Sequence, residues 1–120
     1  MLTAVWNRTR ERAVALATEL GVAAPTELTE LAAAADVIFL CVSADADVHQ
    51  VIAALLPGLR AGTLVIDTST VSAQTARTAA AGLSQIGVGF LDAPLSGGVE
   101  GARNGKLSVM VGGSEGDLDR

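Results

Sequence analysis

Three short stretches carry residue types that could do chemistry, and each follows an apolar run. The sharpest is Phe90-Leu91-Asp92-Ala93-Pro94-Leu95-Ser96-Gly97-Gly98. Proline stops a strand and removes a donor, and paired glycines let backbone N–H groups approach a ligand with no Cβ in the way. A nest of such N–H groups with the Ser96 hydroxyl would hold a carboxylate; the same residues would equally make a plain Gly-rich turn. Asp67-Thr68-Ser69-Thr70 sets three hydroxyls after Leu64-Val65-Ile66. Ser72 is placed to cap a following helix, which leaves Ser69 and Thr70 as turn residues or ligand contacts.

The third stretch is Asn7-Arg8-Thr9, after Val5-Trp6. In nucleotide-binding sheets the residue that ends the second strand decides which ribose substituent is welcome, and an acid there favours a free 2′-hydroxyl. Here a neutral donor, a guanidinium and a hydroxyl stand at a helix start, a set suited to a phosphate anion. That set points to the 2′-phosphate of NADP; alternatively Thr9 only caps the helix while Arg8 and Arg10 are solvated. Val42-Ser43-Ala44-Asp45 lies where a buried strand hands over to a helix, so Ser43 could touch a cofactor, or Ser43 or Asp45 could be the helix N-cap.

These stretches need elements to position them. Strand-like segments recur at Leu2 to Trp6, Val37 to Val42, Thr63 to Asp67, Val88 to Ala93 and Leu107 to Val111, with helical periodicity between them. Ala13, Leu16, Ala17 and Leu20 share one helix face; Val48, Val51, Ile52 and Leu55 share another, and Ala76, Ala79, Ala80 and Leu83 a third. Thr9 and Gly21 fit a helix start and stop, and Pro25 can open a short helix carrying Leu28, Leu31 and Ala32. Runs apolar on successive residues suit strands covered on both faces, so the pattern is α/β, a doubly wound and mainly parallel sheet.

Composition narrows the function classes. The chain has 120 residues and 50% hydrophobic content with mean hydropathy +0.47, enough for one domain with a core and too apolar for disorder. A net charge of −5 and a pI near 4.6 provide no electropositive surface for nucleic acid or an anionic membrane. Small-molecule partners are expected. The longest apolar run, Val37 to Val42, is too short for a bilayer, and residues 1 to 30 lack a signal-peptide pattern, so a cytoplasmic location is expected. Cys41, the lone cysteine, sits inside that run and reads as an inert core thiol. His49 reads as a surface residue, and without further Cys or His no metal site is expected.

Taken together, Trp6-Asn7-Arg8-Thr9, Asp67-Thr68-Ser69-Thr70, Asp92-Ala93-Pro94-Leu95-Ser96-Gly97-Gly98 and Leu107-Ser108-Val109-Met110-Val111-Gly112-Gly113 resemble the β-hydroxyacid dehydrogenase family in order and spacing. That family includes 3-hydroxyisobutyrate, tartronate semialdehyde and 6-phosphogluconate dehydrogenases, and the Ser-Gly-Gly form is most similar to the 3-hydroxyisobutyrate branch. The resemblance implies a Rossmann-type domain in which Asn7, Arg8 and Thr9 meet the 2′-phosphate of NADP, with NAD also possible. It implies that Val42, Ser43 and Thr70 lie along the dinucleotide and that Ser96, Gly97 and Gly98 grip the substrate carboxylate. Trp6 is expected beside the adenine or in the core. Hydride would pass between the nicotinamide and the carbinol carbon of a β-hydroxyacid, with a lysine as general acid/base.

Two parts expected from the resemblance have no counterpart in residues 1–120: a first βα unit with its Gly-x-Gly-x-x-Gly turn, and a helical substrate and dimerisation domain bearing the lysine. Residues 1–120 therefore read as a partial NADP-binding domain, with Met1 as an internal or misplaced start and homo-oligomers expected only of a full-length protein. Lys106, in the turn Asn104-Gly105-Lys106, reads as solvated, and the catalytic residue stays unassigned. In the strand order 3-2-1-4-5-6 the first strand is central, so its loss would forfeit on the order of 10 kcal/mol of burial and leave the isolated chain marginal, gap-closed or prone to aggregate. Tartronate semialdehyde, succinic semialdehyde or glyoxylate are alternative substrates, and a non-catalytic remnant or nucleotide-binding module is the alternative from another class.

Overall fold

The computed structural model describes residues 1–120. In chain order the elements are α1 (Arg10–Leu20), α2 (Leu28–Ala34), β1 (Val37–Leu40), α3 (Asp45–Leu55), a 3-10 turn (Leu56–Gly58), β2 (Leu64–Asp67), α4 (Ala73–Ser84), β3 (Gly89–Asp92), β4 (Leu95–Ser96), α5 (Gly98–Arg103), β5 (Ser108–Val109), β6 (Gly112–Gly113) and α6 (Glu115–Leu118). Three aliphatic runs make the sheet. β1, β2 and β3 lie parallel in that order, with Ile38 opposite Val65 and Val65 opposite Phe90. Parallel neighbours need a crossover, and the helices α3 and α4 supply it. β6 pairs antiparallel with β3, and β4 and β5 form a separate two-stranded ladder.

The fold is thus α/β with a mainly parallel, Rossmann-like sheet. Its core gathers Leu28 and Ala32 of α2, Ile38 and Leu40 of β1, Leu55 of α3, Val65, and Ala76, Ala79 and Leu83 of α4. The α3 and α4 stripes fall as the periodicity predicts: Val48 and Leu55 are buried, with Val51, Ile52 and Ala80 packed partly buried against the core. Ser72 caps α4 by accepting the Thr75 N–H at 3.2 Å.

Several expectations are corrected. Leu2 to Trp6 is not a strand of the sheet: only Ala4 bridges to Ala23, through Val5 N–H to the Ala23 carbonyl at 2.9 Å and Ala23 N–H to that of Thr3 at 3.1 Å. In α1 only Ala13 and Ala17 are buried, whereas Leu16 and Leu20 stay 44% and 49% exposed. Alanine lets the helix approach closely, and with the wider stripe facing outward the larger side chains gain no cover. β1 is covered on one face only: Ile38 and Leu40 are buried while Phe39 is 68% exposed, because alternate residues of a strand point to opposite faces. The last predicted strand, Leu107 to Val111, narrows to Ser108–Val109 and pairs with β4 rather than with the main sheet.

α2 starts at Leu28 with Glu27 at its N-cap position, so Pro25 precedes the helix instead of opening it. Trp6 packs against the core and its indole N–H donates to the Thr26 carbonyl at 3.1 Å, giving it a structural position. Gly21 ends α1 in the left-handed region, at φ 67°, where a side chain would be strained.

The contrast between Leu83, 1% exposed, and Leu16 is measurable. Leu83→Ala is expected to lower unfolding free energy in a urea titration by about 2 to 5 kcal/mol, and Leu16→Ala by less than about 1 kcal/mol. Equal losses would show that α1 buries its full apolar stripe.

Candidate functional site

Parallel sheets bind ligands where their strands end in loops, at the carboxyl edge. β1 stops at Leu40, and Cys41, Val42 and Ser43 run over that edge beside the loop after β2, Thr68 to Thr70. The two loops are tied together. The Leu40 carbonyl accepts from both the N–H of Thr68, at 2.8 Å, and its hydroxyl, at 2.6 Å. The Val42 N–H donates to the Ser69 hydroxyl oxygen at 2.9 Å. Ser69 is 2% exposed, so its hydroxyl serves this tie, whereas Thr70 is exposed.

Between these loops and the β4–α5–β5 segment opens a cavity of about 500 Å³. Val42, Ser43 and Thr70 line it, and so does Gly98, with Val99, Ala102 and Leu107 as its apolar wall. Four of the nine expected contact residues thus come together from three separate stretches of loop and helix. Cys41 lines it too and is exposed, which corrects the core-thiol expectation: the strand has already ended one residue earlier. Ser96, exposed, pairs with Ser108 at the rim, and Gly97 holds φ 130° where α5 begins. A Cβ at Gly97 would meet Leu107 Cδ2 at 3.3 Å, so the turn is tight as well as left-handed.

Asn7, Arg8 and Thr9 do not line this cavity. Thr9 holds the N-cap position of α1 without a side-chain cap bond, and its N–H donates instead to Asn7 Oδ1 at 2.8 Å. Arg10 is not simply solvated: its guanidinium donates to the carbonyls of Ala24 and Pro25 at 3.2 Å. Arg8 remains 77% exposed along its side chain and touches Asp47 Oδ1 at 3.2 Å. Lys106 is exposed in its turn, with its backbone N–H on the Gly101 carbonyl at 2.8 Å. His49 is exposed, its Nε2 3.5 Å from Thr75 Oγ1.

The acids at this edge have partners that the local sequence pattern does not report. Asp45 is not the N-cap of α3, a position taken by Ala44. Its Oδ2 reaches α4 instead, accepting the Ser72 N–H at 3.1 Å and the hydroxyls of Ser72 and Thr75 at 2.6 Å each. Those bonds hold its carboxyl at a pKa of about 2, below the ordinary 3.8. Asp67 is fully buried, with Oδ1 accepting the Ser69 N–H at 2.9 Å and Oδ2 without a partner. Asp92 stands opposite it in register, and burial, then the Asp67 charge, pushes the Asp92 carboxyl up. The available signal was Asp45-Ala46-Asp47 in the first turn of a helix, where acids face the positive end of the dipole.

An open α/β sheet whose carboxyl edge carries a glycine turn, exposed hydroxyls and a cavity defines a nucleotide-binding class of protein. Residues 1–120 match throughout the family described as the NAD binding domain of 6-phosphogluconate dehydrogenase, and the chain belongs to that family. An uncharacterized oxidoreductase of Shewanella frigidimarina is 37% identical over 118 residues, spanning 96% of this chain and 40% of that protein. The Mycobacterium tuberculosis 3-hydroxyisobutyrate dehydrogenase solved with L-serine superposes with a TM-score of 0.90 at 36% identity, over 98% of this chain and 40% of its own. Psf3 in complex with NADP+ and 2-OPP superposes with a TM-score of 0.88 at 34% identity, over 98% and 43%. The chain therefore spans about two fifths of the length of such relatives.

The two shifted carboxyls act on stability in opposite senses. Asp45, with its folded pKa lowered, contributes stability above pH 3.8 that is lost as pH falls towards 2. Asp92, with its folded pKa raised, is favourable below 3.8 and becomes a cost as pH rises through the raised value. Thermal melts should therefore show Asp45→Asn lowering Tm at pH 7 and much less at pH 2, and Asp92→Asn raising Tm at pH 7 and not at pH 3. Parallel pH profiles for wild type and both variants would contradict these assignments.

Proposed function

We propose that this chain is the dinucleotide-binding part of an NADP-preferring oxidoreductase of the 3-hydroxyisobutyrate dehydrogenase type, acting on a β-hydroxyacid. The observation that carries the reading is the exposed Arg8 guanidinium at the start of α1, in a turn where an acid would select NAD. Asn7, Arg8 and Thr9 receive the 2′-phosphate; Val42, Ser43 and Thr70 lie along the dinucleotide. The residues present fit such a group. The cavity is of the size that takes small ligands, roughly 300 to 1,000 Å³, and the Gly98 Cβ position, at φ 62°, has no atom within 4 Å, leaving its backbone open to approach.

The nicotinamide, when bound, supplies the hydride acceptor or donor. The chain's own residues do the rest of what falls to this domain. The Ser96 hydroxyl and the N–H groups of Gly97 and Gly98 orient the substrate through its carboxylate, so that a 3-hydroxy acid presents its carbinol carbon to the cofactor face. The apolar wall of Val99, Ala102 and Leu107 limits water there. The proton on the hydroxyl is carried by a lysine outside residues 1–120, on a helical domain that completes the site, and not by Lys106.

A βα unit with a glycine-rich turn also belongs to this reading, placed between the Thr3–Val5 segment and β1. β1 is an edge strand with Phe39 bare and Val37 44% exposed on the same face, which supports one more parallel neighbour and a covering helix. Codons for Gly-x-Gly-x-x-Gly immediately upstream in the same reading frame would support that unit; a stop codon directly before Met1 would count against it.

Cofactor choice is open to direct test. Losing a charge-assisted phosphate contact is worth about 1.5 to 3 kcal/mol, so Arg8→Ala should weaken NADPH binding roughly 10- to 150-fold. NADH binding should change by less than about 3-fold in the same fluorescence titration. Equal losses for both would remove the 2′-phosphate role, and turnover of a 3-hydroxy acid by residues 1–120 alone would refute the external lysine.

A further inference from the structure

Arg8 is not waiting empty. Its guanidinium lies 3.2 Å from Oδ1 of Asp47, thirty-nine residues away in the first turn of α3. The neighbouring acid, Asp45, is spent on Ser72 and Thr75, which leaves Asp47 as the carboxylate facing this arginine. The Asp47 side chain is only 20% exposed while that of Arg8 is 77% exposed, so the acid is the sheltered partner and the guanidinium the one open to a ligand.

We propose that Asp47 is a specificity-determining residue: it competes with the cofactor's 2′-phosphate for Arg8 and so moderates the preference for NADP over NAD. The inference rests on the NADP reading of Arg8 given above. A phosphate dianion can engage Arg8 only by drawing it from Asp47, and breaking that pair cancels part of its attraction. NAD meets no such cost, because its neutral ribose 2′-hydroxyl does not compete with the carboxylate for the guanidinium. The acid comes from the start of α3, across the crevice from the basic turn. Arginine and acid together make a site that accepts both cofactors, leaning towards the phosphorylated one by less than Arg8 alone would dictate.

The test measures NADPH and NADH affinity by fluorescence titration on the protein at its natural length, in wild type, Asp47→Asn, Arg8→Ala and the double variant. Freeing Arg8 from an exposed ion pair is a modest effect, so Asp47→Asn should raise the NADPH-to-NADH affinity ratio roughly 3- to 10-fold. The gain should shrink as salt rises to about 0.5 M, where the Debye length falls to a few ångströms. In the Arg8→Ala background the Asp47→Asn change should move the ratio by less than about 2-fold, because the arginine being competed for is gone. Asp47→Glu, which keeps the charge, should hold the ratio near wild type, and Asp47→Ser should reproduce the Asn result, separating charge from any effect on folding.

A ratio unchanged by Asp47→Asn while Arg8→Ala lowers it would overturn the inference and leave the NADP reading standing. A gain that persists undiminished without Arg8 would also overturn it, since Asp47 would then act as a bare repulsive charge. If wild type binds neither dinucleotide, the cofactor reading and this inference fall together.

Discussion

The end of the sheet is held by hydroxyl groups that continue the strand ladder after the strands have stopped. Thr68 gives the Leu40 carbonyl two donors, and Ser69 receives the Val42 N–H. The Ala93 N–H on the Asp67 carbonyl at 2.7 Å extends the same ladder to the next strand. Each such bond is worth only about 0.5 to 1.5 kcal/mol net, but leaving a buried partner unmade costs more. Their larger effect is geometric. They fix where the loops after β1 and β2 leave the sheet, and so where Ser43 and Thr70 face each other across the cavity.

Acid crowds this edge, and each carboxyl is managed by different means. Asp45 is satisfied by three donors from α4, Asp47 by Arg8, and Asp67 by one backbone N–H with its second oxygen left bare. Asp92, beside Asp67, is disfavoured as an anion. A ligand carrying negative charge meets an unfavourable field near β2 and β3 unless backbone N–H groups or a guanidinium screen it. The proposed contacts answer to that constraint: the carboxylate goes to the glycine turn after β3, and the phosphate goes to Arg8 on the far side of the crevice.

What the sequence revealed and what it hid divide along physical lines. The strands β1 to β3 and the stripes of α3 and α4 were legible because consecutive aliphatics and a 3.6-residue period are local signals that burial enforces. That Ser43 and Thr70 meet at one cavity was legible because both follow strand ends, whereas Val42 entered through the family resemblance. The fate of Leu2 to Trp6 was not: its apolar pattern promises a strand, but a strand needs a neighbour, and only Ala23 pairs with Ala4. Cys41 was misread for a related reason, since hydropathy shows a run and not the residue at which the ladder ends. Asp45 and Asp47 looked like ordinary helix-start acids, because their partners stand 27 to 39 residues away and no local pattern reports them.

The turn at residues 7 to 9 owes its rigidity to what surrounds Arg8, not to Arg8 itself. Asn7 closes a local ring onto the Thr9 N–H, and Arg10 anchors the first turn of α1 to the carbonyls of Ala24 and Pro25, which follow the Ala23 bridge. Trp6 pins the other side through Thr26. The backbone under Arg8 is therefore held from both directions while its side chain stays exposed. Binding then requires ordering one side chain, on the order of 0.5 to 1.5 kcal/mol, and not a loop as well. A guanidinium on a fixed base, opposed by a carboxylate on a second fixed base, is a pair whose spacing the fold sets and whose balance a single charge can shift.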